Sequence, residues 1–196
     1  DIFPILFGAL PFGMVVGVVS AELNLTSLQT FAESAIIFAG ASQLVMLDLL
    51  DKNAAMWVIV LSTGILNLRH VIYSASLAPY YKKLSPLWKA VLSFPMVDQV
   101  YALAYARHSE NPAAPNKHWY HTGLAVTIGS VWLIATMAGY FLGAIIPDSW
   151  SLTFVIPLMF LALLVPSVKD RSYLIAALVS AVVIMFTVDL PNNIGL

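Results

Sequence analysis

Long apolar runs follow one another along almost the whole chain, and they constrain the fold more than any other feature. They lie at about 2–21, 31–50, 54–78, 87–106, 119–146, 152–168 and 172–190. A helix needs roughly 20 mainly apolar residues to cross a bilayer, within a range of about 17–25. The strands of a membrane β-barrel are shorter and alternate in polarity. The pattern therefore predicts an all-α, polytopic helical membrane protein with about seven hydrophobic segments, in a single transmembrane domain over 1–196.

The composition excludes several other classes of protein. Hydrophobic residues make up 60% of the chain and charged residues 10%, whereas a soluble domain carries about a quarter charged residues. A net charge of −1 leaves no basic patch that could neutralise a nucleic acid. The lack of cysteine excludes disulfides and thiolate metal sites. We expect membrane lipid around the protein, no nucleic acid partner, no metal and no cofactor.

The fourth segment decides the predicted topology. Pro95 and Asp98 interrupt 87–106, and the sequence leaves two arrangements open for it, a crossing segment and a re-entrant one. Consider first the re-entrant one. The loop lysines and arginines other than Lys52 then share one side, as the positive-inside rule favours. If all seven segments cross, one side carries five lysines and arginines, with Lys52 among them, and the other side carries three. In the re-entrant arrangement 2–78 and 119–190 become units of opposite orientation, as in inverted-repeat transporters. We also expect both chain ends to be trimmed.

Five ionisable residues fall within the apolar segments: Glu33, Asp48, Arg69, His70 and Asp98. A charged side chain at mid-membrane costs roughly 2.5–3.5 kcal/mol on insertion scales, so each needs a partner or a watery cavity. Glu33 and Asp48 lie near segment ends, where we expect interfacial solvation. Asp98 can pair with Arg69, or it can carry a proton if burial favours its neutral form. His108, His118 and His121 lie in or beside a loop, and we expect them to be solvated.

The third segment combines two polar stripes with an apolar helix. At 100° per residue, one stripe contains Thr63, Asn67, His70 and Ser74, and the other contains Ser62, Arg69, Tyr73 and Ser76. Hydrogen bonds between helices explain the serines and threonines. The pairing of Arg69 with His70 favours a functional role in a cavity.

Glycine and proline predict interruptions in the first two segments. Pro11 lies between Gly8 and Gly13 and predicts a break in the first helix. Phe38-Ala39-Gly40-Ala41-Ser42-Gln43 is a run of small residues that ends in a long amide. Broken helices in transporters expose N–H groups that hold substrate carboxylates at mid-membrane. Close helix packing is the alternative explanation for Gly13 and Gly17, which have GxxxG spacing.

These motifs, taken in order, resemble the AzlC family, the large subunit of bacterial branched-chain amino acid exporters. The resemblance rests on Pro11-Phe12-Gly13, on 38–43, on Asn67-Leu68-Arg69-His70 and on Tyr73-Ser74-Ala75-Ser76-Leu77-Ala78-Pro79. The block at 67–79 is its most specific part. One departure is Val97-Asp98-Gln99, where the family usually has Thr-Asp-Glu, so a role that needs the second carboxylate is in doubt here.

The resemblance implies a secondary transporter that exports leucine, isoleucine, valine and methionine across the bacterial cytoplasmic (inner) membrane. It also implies coupling to the proton gradient and a partner, a small AzlD-type membrane subunit. We predict that this multi-pass chain is not an enzyme and works by alternating access. The open alternatives are a membrane-embedded enzyme with a lipid-soluble substrate, and a transporter of another small solute. No HExxH or GxSxG motif is present in the sequence, which disfavours the enzyme.

The hypothesis assigns roles to two groups of residues. The substrate carboxylate binds free N–H groups near 8–13 and 39–42, the ammonium binds an amide or Asp98, and aromatic side chains enclose the branched chain. The predicted substrate-binding residues are Gly8, Pro11, Phe12, Gly13, Phe38, Ala39, Gly40, Ser42, Gln43 and Asn67. The predicted proton-coupling residues are His70, Asp98 and Arg69.

Overall fold

The structure, a computed structural model, describes residues 2–112, 114–143 and 171–187, and all regular secondary structure within them is helical. The α-helices are α1 Phe3–Glu22, α2 Ser27–Ile37, α3 Gly40–Asp51, α4 Met56–Asn67, α5 Arg69–Leu77, α6 Pro86–Ser93, α7 Asp98–Glu110, α8 Lys117–Gly143 and α9 Arg171–Thr187. A 3₁₀ turn, Ala78–Tyr81, continues α5. The predicted segment at 152–168 lies outside the described residues.

Helices α1 and α8 form the centre of the bundle and run parallel to each other. A Cβ added at Gly13 would lie 2.9 Å from the Ala135 Cβ, and one added at Gly143 would lie 2.9 Å from the Val18 Cα. At Gly17 an added Cβ would overlap the Thr136 carbonyl oxygen. Small residues at this spacing let two helix backbones touch. The close-packing explanation of the glycines therefore holds.

The predicted break at Pro11 is wrong. Helix α1 continues through Pro11 as a single helix of 20 residues. The proline removes only the N–H that would reach the carbonyl four residues earlier. Transmembrane helices tolerate such a loss where neighbouring helices hold the chain in place, and α8 packs along α1 on both sides of Pro11. The N–H groups of 8–13 thus do not form a helix terminus.

The second segment is two helices that form a hairpin. Helix α2 begins beside Leu25, whose carbonyl accepts a hydrogen bond from the Tyr140 hydroxyl at 2.9 Å, and we call this the Leu25 end of the bundle. At mid-bundle Phe38 turns the chain with a left-handed φ of 47°. Helix α3 then returns toward the Leu25 end, where Leu47 packs with Val19. The predicted interruption at 38–43 is confirmed.

Helices α4 and α5 carry the chain to the opposite end, where α6 and α7 form a second hairpin. We call this the Tyr81 end, because the Tyr81 hydroxyl lies 2.9 Å from the His108 Nε2 there. Trp88, in the first turn of α6, lies beside His118 at 4.8 Å between ring centroids, and His108 lies in the last turn of α7. The α6–α7 hairpin therefore enters and leaves the bundle at the Tyr81 end, in agreement with a re-entrant 87–106 segment.

The tips of the two hairpins meet at mid-bundle. The Phe38 and Phe94 rings, one from each tip, are 6.1 Å apart. By length and composition, three helical stretches of the described residues can cross a membrane: Ile5–Glu22, Met56–Tyr81 and Lys117–Gly143. Two of the seven apolar runs are thus hairpins.

The described helices repeat one arrangement in opposite directions. In 3–51 a spanning helix is followed by a hairpin at the Leu25 end, and in 56–110 a spanning helix is followed by a hairpin at the Tyr81 end. The pairing of 2–78 with 119–190 stays a prediction, since 144–170 lie outside the described residues. The parallel course of α1 and α8 favours the other pairing, because inverted units begin with antiparallel helices.

Candidate functional site

A cavity of about 590 Å³ lies where the two hairpin tips meet. This volume falls within the roughly 300–1,000 Å³ that is typical of small-molecule sites. Both tips, α1, α5 and α8 contribute to its wall. The lining residues are Ile5, Gly8, Ala9, Phe12, Phe38, Ala39, Gly40, Ala41, Arg69, Val97, Asp98, Gln99, Ile128 and Trp132.

An ion pair forms the charged side of the cavity. The Arg69 Nη1 donates to the Asp98 Oδ2 at 2.9 Å. The Tyr73 hydroxyl donates to the other carboxylate oxygen, also at 2.9 Å, and Tyr73 is held by a parallel stack on Tyr101 with 4.3 Å between ring centroids. Pairing with Arg69, one of the two options left open by the sequence, is thus the arrangement observed. The Arg69 Nε is buried and has no acceptor within the part of the chain that the structure describes.

The N-terminus of α3 opens into the same cavity. The first N–H groups of a helix have no acceptor within it, and the N-cap residue of α3, Ala39, supplies no side-chain cap. Gly40 and Ala41 carry two of these N–H groups and line the cavity. A helix N-terminus carries a partial positive charge that attracts anions. This end of the cavity is therefore suited to a carboxylate.

Buried polar side chains outside the cavity hold the N-terminus of α3 in place. The Gln43 amide donates to the Ser34 Oγ at 2.7 Å and accepts from the Trp132 Nε1 at 3.0 Å. The Ser42 hydroxyl donates to the Asn67 Oδ1 at 2.6 Å. Ser34, Ser42 and Gln43 are fully buried. These hydrogen bonds join the first hairpin to α8 and to the end of α4.

Aromatic and aliphatic side chains form the remaining wall. Phe12 packs edge-on against Trp132, with 5.3 Å between ring centroids. A Cβ added at Gly40 would lie 2.5 Å from the Trp132 ring and 2.7 Å from the Phe12 ring. Gly40 therefore allows both rings to lie close to the α3 terminus. The wall thus combines a charged pair with aromatic and aliphatic side chains.

The structure divides the predicted site residues into two groups. Those that line the cavity are Gly8, Phe12, Phe38, Ala39, Gly40, Arg69 and Asp98. Those that do not line it are Pro11, Gly13, Ser42, Gln43, Asn67 and His70. Gly13 packs on α8, whereas Ser42, Gln43 and Asn67 support the α3 terminus. His70 is half-buried beside Tyr73, with 6.1 Å between ring centroids.

Sequence reasoning missed part of the cavity wall. Ile128 and Trp132 lie in the fifth apolar segment, and Ile5, Ala9, Ala41, Val97 and Gln99 complete the set. One signal in the sequence could have pointed to this wall. Trp132 lies in an apolar segment, and a tryptophan that is buried there needs an acceptor for its N–H. Tyr73 was placed on a polar stripe but without a role.

Three groups expected to be solvated are buried instead. His108 is 1% exposed and His121 is fully buried, and both ring edges lie against the Tyr81 hydroxyl, at 2.9 and 3.0 Å. Burial, together with the charges of Lys117 and Arg107, lowers the pKa of His108 to about 4. Glu33 is 9% exposed, and its Oε1 lies within hydrogen-bond distance of the Ser20 hydroxyl oxygen, at 2.9 Å. Asp48 is solvated, as expected: its side chain is partly exposed and pairs with Lys52.

These features define a class of protein: a helical membrane protein in which opposed hairpins enclose a polar cavity at mid-bundle. Intramembrane ionisable residues beside interrupted helices are typical of transporters.

The comparison with known proteins identifies the family. The model of the AzlC family, described as "AzlC protein", matches residues 4–146, and the chain belongs to this family. It is 29% identical to the inner membrane protein YgaZ of Escherichia coli, over the whole chain and 84% of that protein. It is 30% identical to an uncharacterized membrane protein of Archaeoglobus fulgidus, over 99% of the chain and 85% of that protein. A third relative, an uncharacterized membrane protein of Helicobacter pylori, is 26% identical over 88% of the chain and 76% of its own length. No solved structure matches the chain significantly.

Proposed function

We propose that this chain is the cavity-forming subunit of a secondary transporter that exports branched-chain amino acids and methionine across the bacterial inner membrane. The observation that carries the proposal is the pairing of Arg69 with Asp98 in a cavity whose other lining side chains are mainly apolar. An amino acid presents the same combination, with one carboxylate, one ammonium group and one apolar side chain. The proposal includes proton coupling and the small AzlD-type subunit as partner.

The zwitterion replaces the internal ion pair on binding. Its ammonium takes the Asp98 Oδ2 from Arg69, while Tyr73 keeps the other carboxylate oxygen in place. Its carboxylate binds Arg69 and the free N–H groups of Gly40 and Ala41. The buried Arg69 Nε, which has no acceptor among the described residues, gains one. Before the amino acid binds, the two protein charges neutralise each other, so neither is left unpaired at mid-membrane.

The apolar wall accounts for the expected substrate range. Phe12, Phe38, Ile128 and Trp132 face the side chain of the amino acid. An apolar pocket distinguishes substrates that differ by one methylene by only about 1–3 kcal/mol. Leucine, isoleucine, valine and methionine should therefore compete for the site. Because Gln99 stands in place of the family's usual glutamate, Asp98 is the single carboxylate among the described residues of the wall.

The test is efflux of labelled leucine from proteoliposomes, with and without an imposed pH gradient and with and without the small subunit. We expect gradient-stimulated efflux that valine and methionine inhibit. Asp98→Asn should abolish it, because the ammonium loses its acceptor. Asp48→Asn is the matched control, since Asp48 is a carboxylate outside the cavity that pairs with Lys52. If tight vesicles that contain both subunits release no leucine, the cargo is another solute or the protein is an enzyme.

A further inference from the structure

A carboxyl group that is buried near the cavity has no counter-charge among the described residues. Glu33 lies on α2, and among the described residues no charged side chain acts on it. The elements packed against α2 are α1, α3 and α8. Glu22 on α1, Asp48 and Asp51 on α3, and Tyr140 on α8 are the titratable side chains in their halves toward the Leu25 end, whereas the hydrogen-bond partner of Glu33 is the neutral Ser20. Glu33 is also the only titratable residue of α2 itself.

The hydrogen bonds around Glu33 suit a protonated carboxyl group. The Ser20 Oγ lies 2.9 Å from the Glu33 Oε1 and 2.8 Å from the Val16 carbonyl oxygen. A hydroxyl group has one proton, so it can donate to only one of these acceptors. If Glu33 is protonated, its O–H donates to Ser20 and the Ser20 O–H donates to Val16, which satisfies both contacts. An ionised Glu33 would compete for that proton and would also leave its Oε2 charged and without a donor.

Glu33 is linked to the cavity by the first hairpin. Its chain neighbour Ser34 accepts from Gln43, and Gln43 accepts from the Trp132 that lines the cavity. Five residues beyond Glu33 on the same limb, Phe38 forms the tip and lines the cavity as well. A displacement of α2 therefore moves cavity-lining residues directly.

We propose that Glu33 is the proton-binding residue of the transport cycle and that its protonation state sets the position of the α2–α3 hairpin. This inference rests on the proposed function, since it assigns the coupling residue of that transport. In the arrangement described here Glu33 holds a proton and the hairpin packs against α1 and α8. Loss of the proton to water leaves an unpaired charge in a buried position, which burial strongly disfavours. The hairpin then has to move until the carboxylate reaches water, and this movement opens the cavity. A proton taken up from water restores the packed state.

The first experiment measures the protonation state directly. Infrared spectra of the purified protein in detergent at neutral pH should contain the carbonyl stretch of a protonated carboxyl group. Glu33→Gln should remove that band, and Asp48→Asn should leave it. An unchanged spectrum in Glu33→Gln would overturn the proposal, because Glu33 would then be ionised in its buried position. This readout needs no transport substrate, so it decides about Glu33 even if leucine is not the cargo.

The second experiment tests coupling in proteoliposomes. Glu33→Gln mimics the neutral form, so we expect the variant to fold. It should lose all stimulation of leucine efflux by a pH gradient, and Glu33→Asp should restore part of it. Asp48→Asn should keep the wild-type stimulation. If Glu33→Gln is stimulated as strongly as the wild type, Glu33 is not the coupling residue, whereas the transport function stands. If the wild type itself releases no leucine, the proposed function fails.

Discussion

Replacing Gly139 by alanine tests the parallel packing of α1 and α8, on which the whole bundle depends. A Cβ at this position would overlap the Met14 carbonyl oxygen and would lie 2.6 Å from both the Met14 C and Cα atoms. All three are backbone atoms, so no rotation of a side chain relieves the overlap. The helices have to separate by about an ångström to restore van der Waals contact.

The cost follows from two opposing effects. Overpacking in a tightly packed core costs typically about 1–3 kcal/mol. Alanine in place of glycine favours a helix by up to about 1 kcal/mol. We therefore expect Gly139→Ala to lower the free energy of unfolding by about 1–2 kcal/mol. The matched control is Gly123→Ala on the same helix, where an added Cβ meets nothing within 4 Å, and it should leave the stability unchanged or slightly raised.

The assay is unfolding of the purified protein by sodium dodecyl sulfate in mixed micelles, followed by circular dichroism. Both variants should unfold in a single transition, with Gly139→Ala at the lower denaturant fraction. Equal stabilities of the two variants would refute the reasoning, because Gly139 would then not lie against the α1 backbone. A loss of stability in Gly123→Ala alone would refute it as well.

Three further predictions concern the cavity and the Tyr81 end. Gly40→Ala pushes the rings of Phe12 and Trp132 into the cavity and leaves less room for the substrate side chain. In competition assays the preference for valine over leucine should therefore rise by up to about tenfold. This is within the roughly 1–3 kcal/mol by which an apolar pocket distinguishes one methylene. Trp132→Phe removes the donor to Gln43, and the buried acceptor left unpaired should lower the unfolding free energy by about 1–3 kcal/mol in the micelle assay. His108 has a pKa of about 4 in the folded protein, against an ordinary value of 6.5. Between these pH values the unfolded chain binds more protons than the folded protein. The free energy of unfolding should therefore fall as the pH drops from about 6.5 to about 4. His108→Gln should reduce this pH dependence of the unfolding midpoint, and an unaltered pH profile would argue against the burial of His108.

The sequence by itself determined the class of the protein and the position of its chemistry along the chain. Runs of apolar residues require a lipid environment whatever their partners are, so the membrane assignment needed no tertiary information. The polar block around Arg69 and the interruption at Phe38 could also be predicted from the sequence, because a charge in an apolar run and a cluster of small residues are local features. The cavity residues found in this way come from the first hairpin, α1, α5 and Asp98.

Only the tertiary structure decided how the segments are used. A run of 20 apolar residues has the same hydropathy whether it crosses the membrane or turns back at its middle, so the hairpin at 27–51 could not be told from a span. Pro11 could not be told from a break, because the helix is held by α8, which lies more than 100 positions away in the chain. The Trp132 wall of the cavity depends on the same long-range packing.

Burial was likewise decided by distant neighbours. Glu33 and Asp48 are both carboxylates near segment ends, yet one is enclosed by α1 and α8 and the other pairs with Lys52 in contact with water. The Arg69–Asp98 pair joins residues 29 positions apart and forms because the second hairpin returns to mid-bundle beside α5. Hydropathy indicates only whether a residue favours lipid or water. The electrostatic state of a side chain depends on which other segments pack around it.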